Sequence, residues 1–181
     1  MKTIKRLSVV FALIVAATIS SCGGSDDDAA PAPSIPANGT YINATADGAA
    51  FTTVIMGQSA GSASRIGTGA DNIISVLGGN VSVTPGAEAK TISITLRGIT
   101  APGTFAITPI SGSNMSFITS TSTGTNAVAY STSGCAGTAG TVTVTSVSAT
   151  KIEGTFSFTG KNDGCTVTKS VTAGQFRGVF N

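Results

Sequence analysis

Histidine and tryptophan are absent from this 181-residue chain, charged side chains make up only 10% of it and aromatic ones 6%. Each shortage removes a class of function. Without histidine there is no Ser–His–Asp triad, because the nucleophile has no imidazole to take its proton. Two cysteines with no histidine cannot close a zinc site, and no Asp/Asn run has the spacing of an EF-hand, so no metal and no cofactor is expected. Sugar sites favour stacked aromatics, and Tyr41 and Tyr130 are the only tyrosines. Lys2, Lys5 and Arg6 lie in a segment expected to be removed, leaving seven basic residues against eight acidic ones. The seven are scattered from Arg65 to Arg177. Nucleic acid needs clustered Lys and Arg, so it is not an expected partner.

The N-terminus carries an address. Lys2, Lys5 and Arg6 precede an apolar run, Leu7 to Ile19, and small residues Ser20 and Ser21 then lead to Cys22. At about 13 residues the run is too short to span a bilayer, which needs roughly 20, and the pattern is that of a signal peptide. Ile19-Ser20-Ser21-Cys22 resembles the bacterial lipobox, in which the Cys thiol is acylated and becomes the first residue of the mature protein. Two or three acyl chains would anchor it stably, at about 0.8 kcal/mol per buried CH₂. The membrane, through Cys22, is therefore an expected partner, beside a ligand or protein partner that the sequence does not identify. Gly23-Gly24-Ser25-Asp26-Asp27-Asp28 is similar to the acidic surface-export signal of Bacteroidetes lipoproteins. The resemblance implies an outer-membrane lipoprotein exposed at the surface, with a periplasm-facing one as the alternative. Three prolines between Ala29 and Asn38 make a stiff spacer. The expected organisation is a signal peptide over 1–21, an acylated Cys22 with a linker over 22–37, and one domain over 38–181.

That domain reads as all-β. Abundant Gly, Ser and Thr suit short strands and many turns, and period-two alternation recurs where helical spacing does not. Lys90 to Arg97 places Ile92, Ile94 and Leu96 on one face. Tyr41–Ala46 and Phe51–Met56 flank Asp47-Gly48, a dipeptide suited to a tight hairpin turn. Further strands are expected at Ile73–Leu77, Val81–Thr84, Gly103–Thr108, Met115–Thr119, Ala127–Tyr130 and Gln175–Phe180. About ten short strands imply an antiparallel β-sandwich or a closed β-barrel. Thr141 to Thr159 reads as a hairpin turning at Ala149-Thr150, whose paired numbers sum to about 300, setting Val144 opposite Phe156 and Val142 opposite Phe158. The same sum brings Cys135 opposite Cys165. An exported protein keeps disulfides, and a bridge closing about 30 residues contributes about 3 to 4 kcal/mol.

The body also resembles a family of uncharacterised Bacteroidetes lipoproteins. The resemblance is carried by Ile42-Asn43-Ala44-Thr45-Ala46-Asp47-Gly48-Ala49-Ala50-Phe51, Pro102-Gly103-Thr104-Phe105 and Ile152-Glu153-Gly154-Thr155-Phe156-Ser157-Phe158. It implies a shared β-fold and brings no activity or site with it. Ala46, Phe51 and Phe105 depart from the family's Val-Asp-Gly-aromatic and Gly-Thr-Tyr patterns.

Motifs that carry chemistry elsewhere fall in the wrong context here. Gly57-Gln58-Ser59-Ala60-Gly61 matches GxSxG but has neither histidine nor a strand-to-helix turn, and reads as a loop. Ser148-Ala149-Thr150-Lys151 matches SxxK but sits in the expected hairpin turn, with a solvated Lys. Arg65-Ile66-Gly67-Thr68-Gly69 fits no phosphate-binding loop and reads as flexible. A glycosidase needs two facing carboxylates, whereas Asp47, Asp71, Glu88, Glu153 and Asp163 fall mostly at turns. The expected function is a non-catalytic, lipid-anchored module binding an unidentified ligand or protein. The alternatives are a structural envelope lipoprotein and, more remotely, an enzyme of unrecognised type. Mass spectrometry of the intact mature protein is expected to find a lipid-modified Cys22 at its N-terminus; an unmodified start elsewhere refutes the anchor.

Overall fold

The computed structural model describes residues 38–55, 58–80, 87–121 and 126–180. Cys22, the signal segment, the linker and the strand expected at Val81–Thr84 lie outside the described residues. Among those described, the chain forms β1 (Tyr41–Ala46), β2 (Ala49–Thr52), β3 (Val54–Ile55), β4 (Gln58–Ser59), β5 (Gly61–Ile66), β6 (Ile73–Asn80), β7 (Glu88–Arg97), β8 (Gly103–Ile107), β9 (Asn114–Thr121), β10 (Val128–Ser131), β11 (Ala139–Val147), β12 (Lys151–Lys161) and β13 (Thr168–Val179). Eleven strands make one antiparallel sheet in the order β2-β1-β13-β12-β10-β9-β7-β6-β5, with β11 and then β8 branching from β12. The sheet curls into a half-barrel, in keeping with the all-β sandwich-or-barrel expectation. β3 and β4 form a separate small hairpin.

Alternation set most of these strands. Ile92, Ile94 and Leu96 of β7 are fully buried. Asp47 and Gly48 both hold positive φ, 52° and 81°, in a two-residue turn closed by the pair Ala46–Ala49. Parts of two segments read as loops, Gly57 to Gly61 and Arg65 to Gly69, are strands instead. Gln58-Ser59 is β4 and pairs with β3, while Gly61 to Ile66 is β5 and lies against β6 in register from Gly61–Gly78 to Ile66–Ile73. The strand expected over Phe51–Met56 breaks at Thr53, for a reason visible in its hydrogen bonds. Thr53 is fully buried. Its Oγ1 accepts from the Ile42 N–H at 2.8 Å while its own N–H donates to the Ile42 carbonyl at 3.0 Å. The hydroxyl thus takes the place of the Thr53 carbonyl, which is freed to accept from the Ala60 N–H at 2.8 Å; the Ala60 carbonyl in turn accepts from Gly79 of β6 at 3.2 Å. This chain of bonds stitches the β1 end of the sheet to the β6 end.

The concave face holds the core, and its tightest part follows one rule. Phe156 lies opposite Gly174, Phe158 opposite Gly140 and Phe176 opposite Gly154. The Phe156 and Phe176 rings occupy the space that a side chain on Gly174 or Gly154 would take, and Gly140 leaves room for the Met115 methyl and the Phe158 Cβ. Of these pairs only Phe158–Gly140 lies in the β11–β12 ladder, where the expected hairpin register is wrong by two residues. Val142 pairs with Phe156 and Val144 with Gly154, so paired numbers sum to 298 instead of about 300. The expected register would have set Val144 against Phe156 and left both glycines facing smaller neighbours. An even slip keeps every side chain on its own face, so the core membership of Val142, Val144, Phe156 and Phe158 stands. A bulge between Val144 and Ser146 then moves the final pair to Val147–Ile152. A second bulge on β13 falls at Ala173, which holds φ 50° and interrupts the pairing with both β12 and β1. Bulges bend the strand that carries them, which helps the sheet to curl.

Cys135 and Cys165 are bonded, with Cα atoms 5.7 Å apart. The β11–β12 ladder ends at Ala139–Thr159, so it is the loops beyond that ladder that bring them together. Cys135 follows β10, and Cys165 sits in the β12–β13 turn at φ 56°. A Cβ on Gly154 would run into the Thr143 carbonyl and lie 3.0 Å from the Phe176 ring. Gly154→Ala is therefore expected to lower stability by about 1 to 3 kcal/mol through overpacking, measured by chemical denaturation; an unchanged midpoint would refute the ring-over-glycine account.

Candidate functional site

On three neighbouring strands the concave face changes character toward one end. Along β7 the inward positions run Leu96, Ile94, Ile92, Lys90, Glu88, from fully buried aliphatics to two charges. Along β9 they run Met115, Phe117, Thr119, and on β10 Tyr130 is paired with Phe117. On β13, Lys169 precedes the buried Val171. The curl gathers these positions with the β1–β2 turn around an open cavity of about 310 Å³, lined by Ala46, Asp47, Ala49, Glu88, Lys90, Phe117, Thr119, Tyr130 and Lys169. This is the mouth of the half-barrel, a common place for ligand sites in β-barrels.

Its charges are paired. Lys169 Nζ donates to Asp47 Oδ2 across the mouth's rim, and the Asp47 N–H donates to the Ser170 carbonyl at 2.7 Å, holding the turn beside β13. Lys90 Nζ lies 3.3 Å from Glu88 Oε2. Tyr130 supports the first pair: the Lys169 ammonium stands 6.0 Å from its ring centroid, and the ring stacks near Phe117 at 6.4 Å. The bond to Asp47 raises the Lys169 pKa; desolvation opposes it, and the charges of Asp47, Tyr130 and Glu88 add to the rise. An ammonium kept charged is a donor and a cation rather than a nucleophile. The mouth therefore offers two carboxylates, two ammonium groups, a phenol and the Thr119 hydroxyl, an arrangement suited to binding.

The residues singled out in the sequence fall elsewhere or in new roles. Asp47, Glu88 and Tyr130 meet in the mouth, although the carboxylates read as turn residues and the tyrosine as an isolated aromatic. Lys90 and Lys169 were not singled out. The parity of β7 contained the signal for Lys90, since it shares a face with Ile92, whereas nothing local marks Lys169. Ser148 Oγ accepts from the Lys151 N–H at 3.2 Å, so the SxxK match is a turn motif as expected. Lys151 is not a free solvated lysine, because it donates to Glu153 at 2.9 Å. Glu153 itself lies within β12 and not at a turn, and it accepts from Arg177 Nε at 2.6 Å on the outer face. Arg177 also covers the Tyr41 ring at 5.3 Å. Burial pushes the Tyr41 phenol pKa up, with Arg177 opposing and Glu153 adding to it. The second tyrosine is thus occupied in the fold. Among the described residues no cluster of His, Cys, Asp and Glu could hold a metal ion.

Residues 68–180 match the model of a domain of unknown function, DUF6252. The chain belongs to this family. The matched span takes in Pro102 to Phe105 and Ile152 to Phe158 and begins after the Ile42–Phe51 motif, so β1 and β2 precede it. No curated protein and no solved structure matches the chain. Within this DUF6252 protein the Lys151–Glu153–Arg177 group makes a pH-dependent contribution. Hydrogen bonds from Lys151 and then Arg177 hold the Glu153 carboxyl below its usual range, against desolvation. A lowered folded-state pKa contributes stability that is present above the unfolded pKa and lost as pH falls through the folded one. Glu153→Gln is expected to cost up to about 1 kcal/mol near neutrality. The difference from wild type should vanish in acid below the carboxylate range; a gap that persists there would show that the effect is not ionic.

Proposed function

We infer that this DUF6252 protein is a non-catalytic module of a bacterial outer membrane, anchored through acyl chains on Cys22, that binds a small polar ligand in the mouth of its half-barrel. The observation that carries the reading is the replacement of an apolar concave face by Glu88, Lys90 and Lys169 over a Phe117–Tyr130 floor. Charges pointing inward from non-edge strands do not serve edge protection, and convergent polar groups over an apolar floor are the usual composition of a ligand pocket. The lipobox-like Ile19-Ser20-Ser21-Cys22 and the acidic segment after it support the address, of the Bacteroidetes type, with surface exposure favoured over a periplasm-facing position. No nucleic acid, metal or cofactor enters this reading.

A structural or protein-interaction role is the second reading, and one feature favours it. Thr104, Thr143, Thr155, Gln175, Asn43 and Thr52 lie side by side across six strands of the outer face. The chain has no charged residue from Gly98 to Thr150. A broad neutral face of this kind suits contact with another envelope component. An enzyme is the remotest reading, since both lysines of the mouth are engaged by carboxylates.

The test is a thermal-shift screen of the full chain in detergent against glycans, small nutrients and divalent metals. Ligand at 100 times its Kd stabilises the folded state by about 2.7 kcal/mol, roughly 5 to 11 °C for a domain of this size. A shift that Lys90→Gln abolishes supports the mouth as the site. A flat screen favours the protein-interaction reading, to be followed by cross-linking on intact cells.

A further inference from the structure

We propose that the ligand of the mouth is a small zwitterion, a molecule of α-amino-acid size carrying one ammonium and one carboxylate. The proposal rests on the ligand-binding reading above and specifies it. The mouth holds two acids and two bases, already matched as Lys169–Asp47 and Lys90–Glu88. A ligand of single charge would draw one protein group away from its partner and leave the other unmatched, a penalty that disfavours it. A zwitterion avoids this penalty, because every ion drawn away is replaced by one of the same sign.

The placement of the pairs fits such an exchange. Asp47 and Lys169 come from the β1–β2 turn and the start of β13, while Glu88 and Lys90 come from the start of β7. In the sheet, β12, β10 and β9 lie between β13 and β7. The two ion pairs therefore flank the Phe117–Tyr130 floor instead of sharing one side of it. Bound between them, the ligand's ammonium would lie toward Asp47 and Glu88. Its carboxylate would lie toward Lys90 and Lys169.

Two further features argue against a saccharide. Tyr130 is the only tyrosine in the mouth, and its ring is already engaged by Phe117 and by the Lys169 ammonium. No face is left clear for a sugar ring to stack on. The cavity, about 310 Å³, also stands at the lower end of the roughly 300 to 1,000 Å³ range of ligand pockets. That size suits an amino acid better than an oligosaccharide.

The experiment is isothermal titration of the full chain in detergent with the free L-amino acids. The same compounds with the amine acetylated or the carboxylate amidated serve as single-charge probes, and glucose and N-acetylglucosamine as neutral ones. At least one free amino acid is expected to bind. Blocking either end should weaken it by roughly tenfold or more, and Glu88→Gln and Lys90→Gln should each do the same while keeping the wild-type melting temperature. Lys169→Gln provides a third variant should either of these fail to fold. Binding should also weaken as salt rises. If a saccharide binds instead, and Lys90→Gln abolishes that binding, the zwitterion assignment is overturned while the mouth remains a site. If an amino acid binds equally well to all the variants, it binds elsewhere and the proposal falls. If no amino acid binds and the broad screen is also flat, the ligand-binding reading falls with it.

Discussion

The fold depends on glycines that leave room for its largest side chains: Gly174 under the Phe156 ring, Gly154 under the Phe176 ring, and Gly140 under the Met115 methyl and the Phe158 Cβ. Phe156, Phe158 and Phe176 all point into the concavity from two adjacent strands, β12 and β13. Rings this large would hold a sheet open if they faced one another across neighbouring strands. Gly174 and Gly154 give the Phe156 and Phe176 rings the space of a missing side chain, and Gly140 does the same for Met115 and the Phe158 Cβ, so that β11, β12 and β13 bend around them. The same device recurs at the closing side, where Gly178 of β13 lies against Val76 of β6 and Ala63 of β5, and Gly78 against Ile42 and Thr53. A single Cβ at those places would push the two ends of the sheet apart, and the hydrogen bonds running through Thr53 and Ala60 would be lost.

Curling has a consequence for chemistry. A concave face filled by Leu, Ile and Phe along its whole length would be a closed core with no opening. Here the apolar side chains stop short of one end, and Lys90, Glu88, Lys169 and Thr119 occupy the inward positions that follow. The charges stay solvated enough to be tolerated and are matched within the site, so they do not bear the cost of lone buried ions. The rim is also held in place: the Asp47-Gly48 turn is tied to β13 through its backbone and through Lys169. A preorganised rim loses less entropy when a ligand arrives. On the convex side Lys151, Glu153 and Arg177 gather into one group, leaving a broad hydroxyl-lined area across β8, β11, β12 and β13.

Much of this was legible along the chain and some was legible but not singled out. Lys90 has the parity of Ile92, Ile94 and Leu96, so the alternation that identified β7 also assigned this lysine to the inner face. Asp47-Gly48 marked its turn through the positive φ both residues adopt. Gly61 to Ile66 gave no strand signal because Gly, Ser and Ala alternate without an apolar face of their own. It forms β5 only because β6 offers a ladder and Gly178 leaves room beside Ala63. The hairpin register could not be read from alternation, since slipping by two residues preserves both faces. The observed register sets Gly140 opposite Phe158, where a side chain would collide with Met115 and the Phe158 Cβ.

By itself the sequence determined the class of the fold, its alternating inner and outer faces, and the absence of a histidine-based catalyst. These are properties of neighbours along one strand or of composition, and they need no partner to be true. The tertiary structure decided which strands meet, that β2 and β5 approach through Thr53, and that Lys169 stands beside Asp47 across 122 residues of chain. Those outcomes depend on long-range packing, on whether a ring finds space across a ladder and whether a curled sheet can close. No local pattern specifies them.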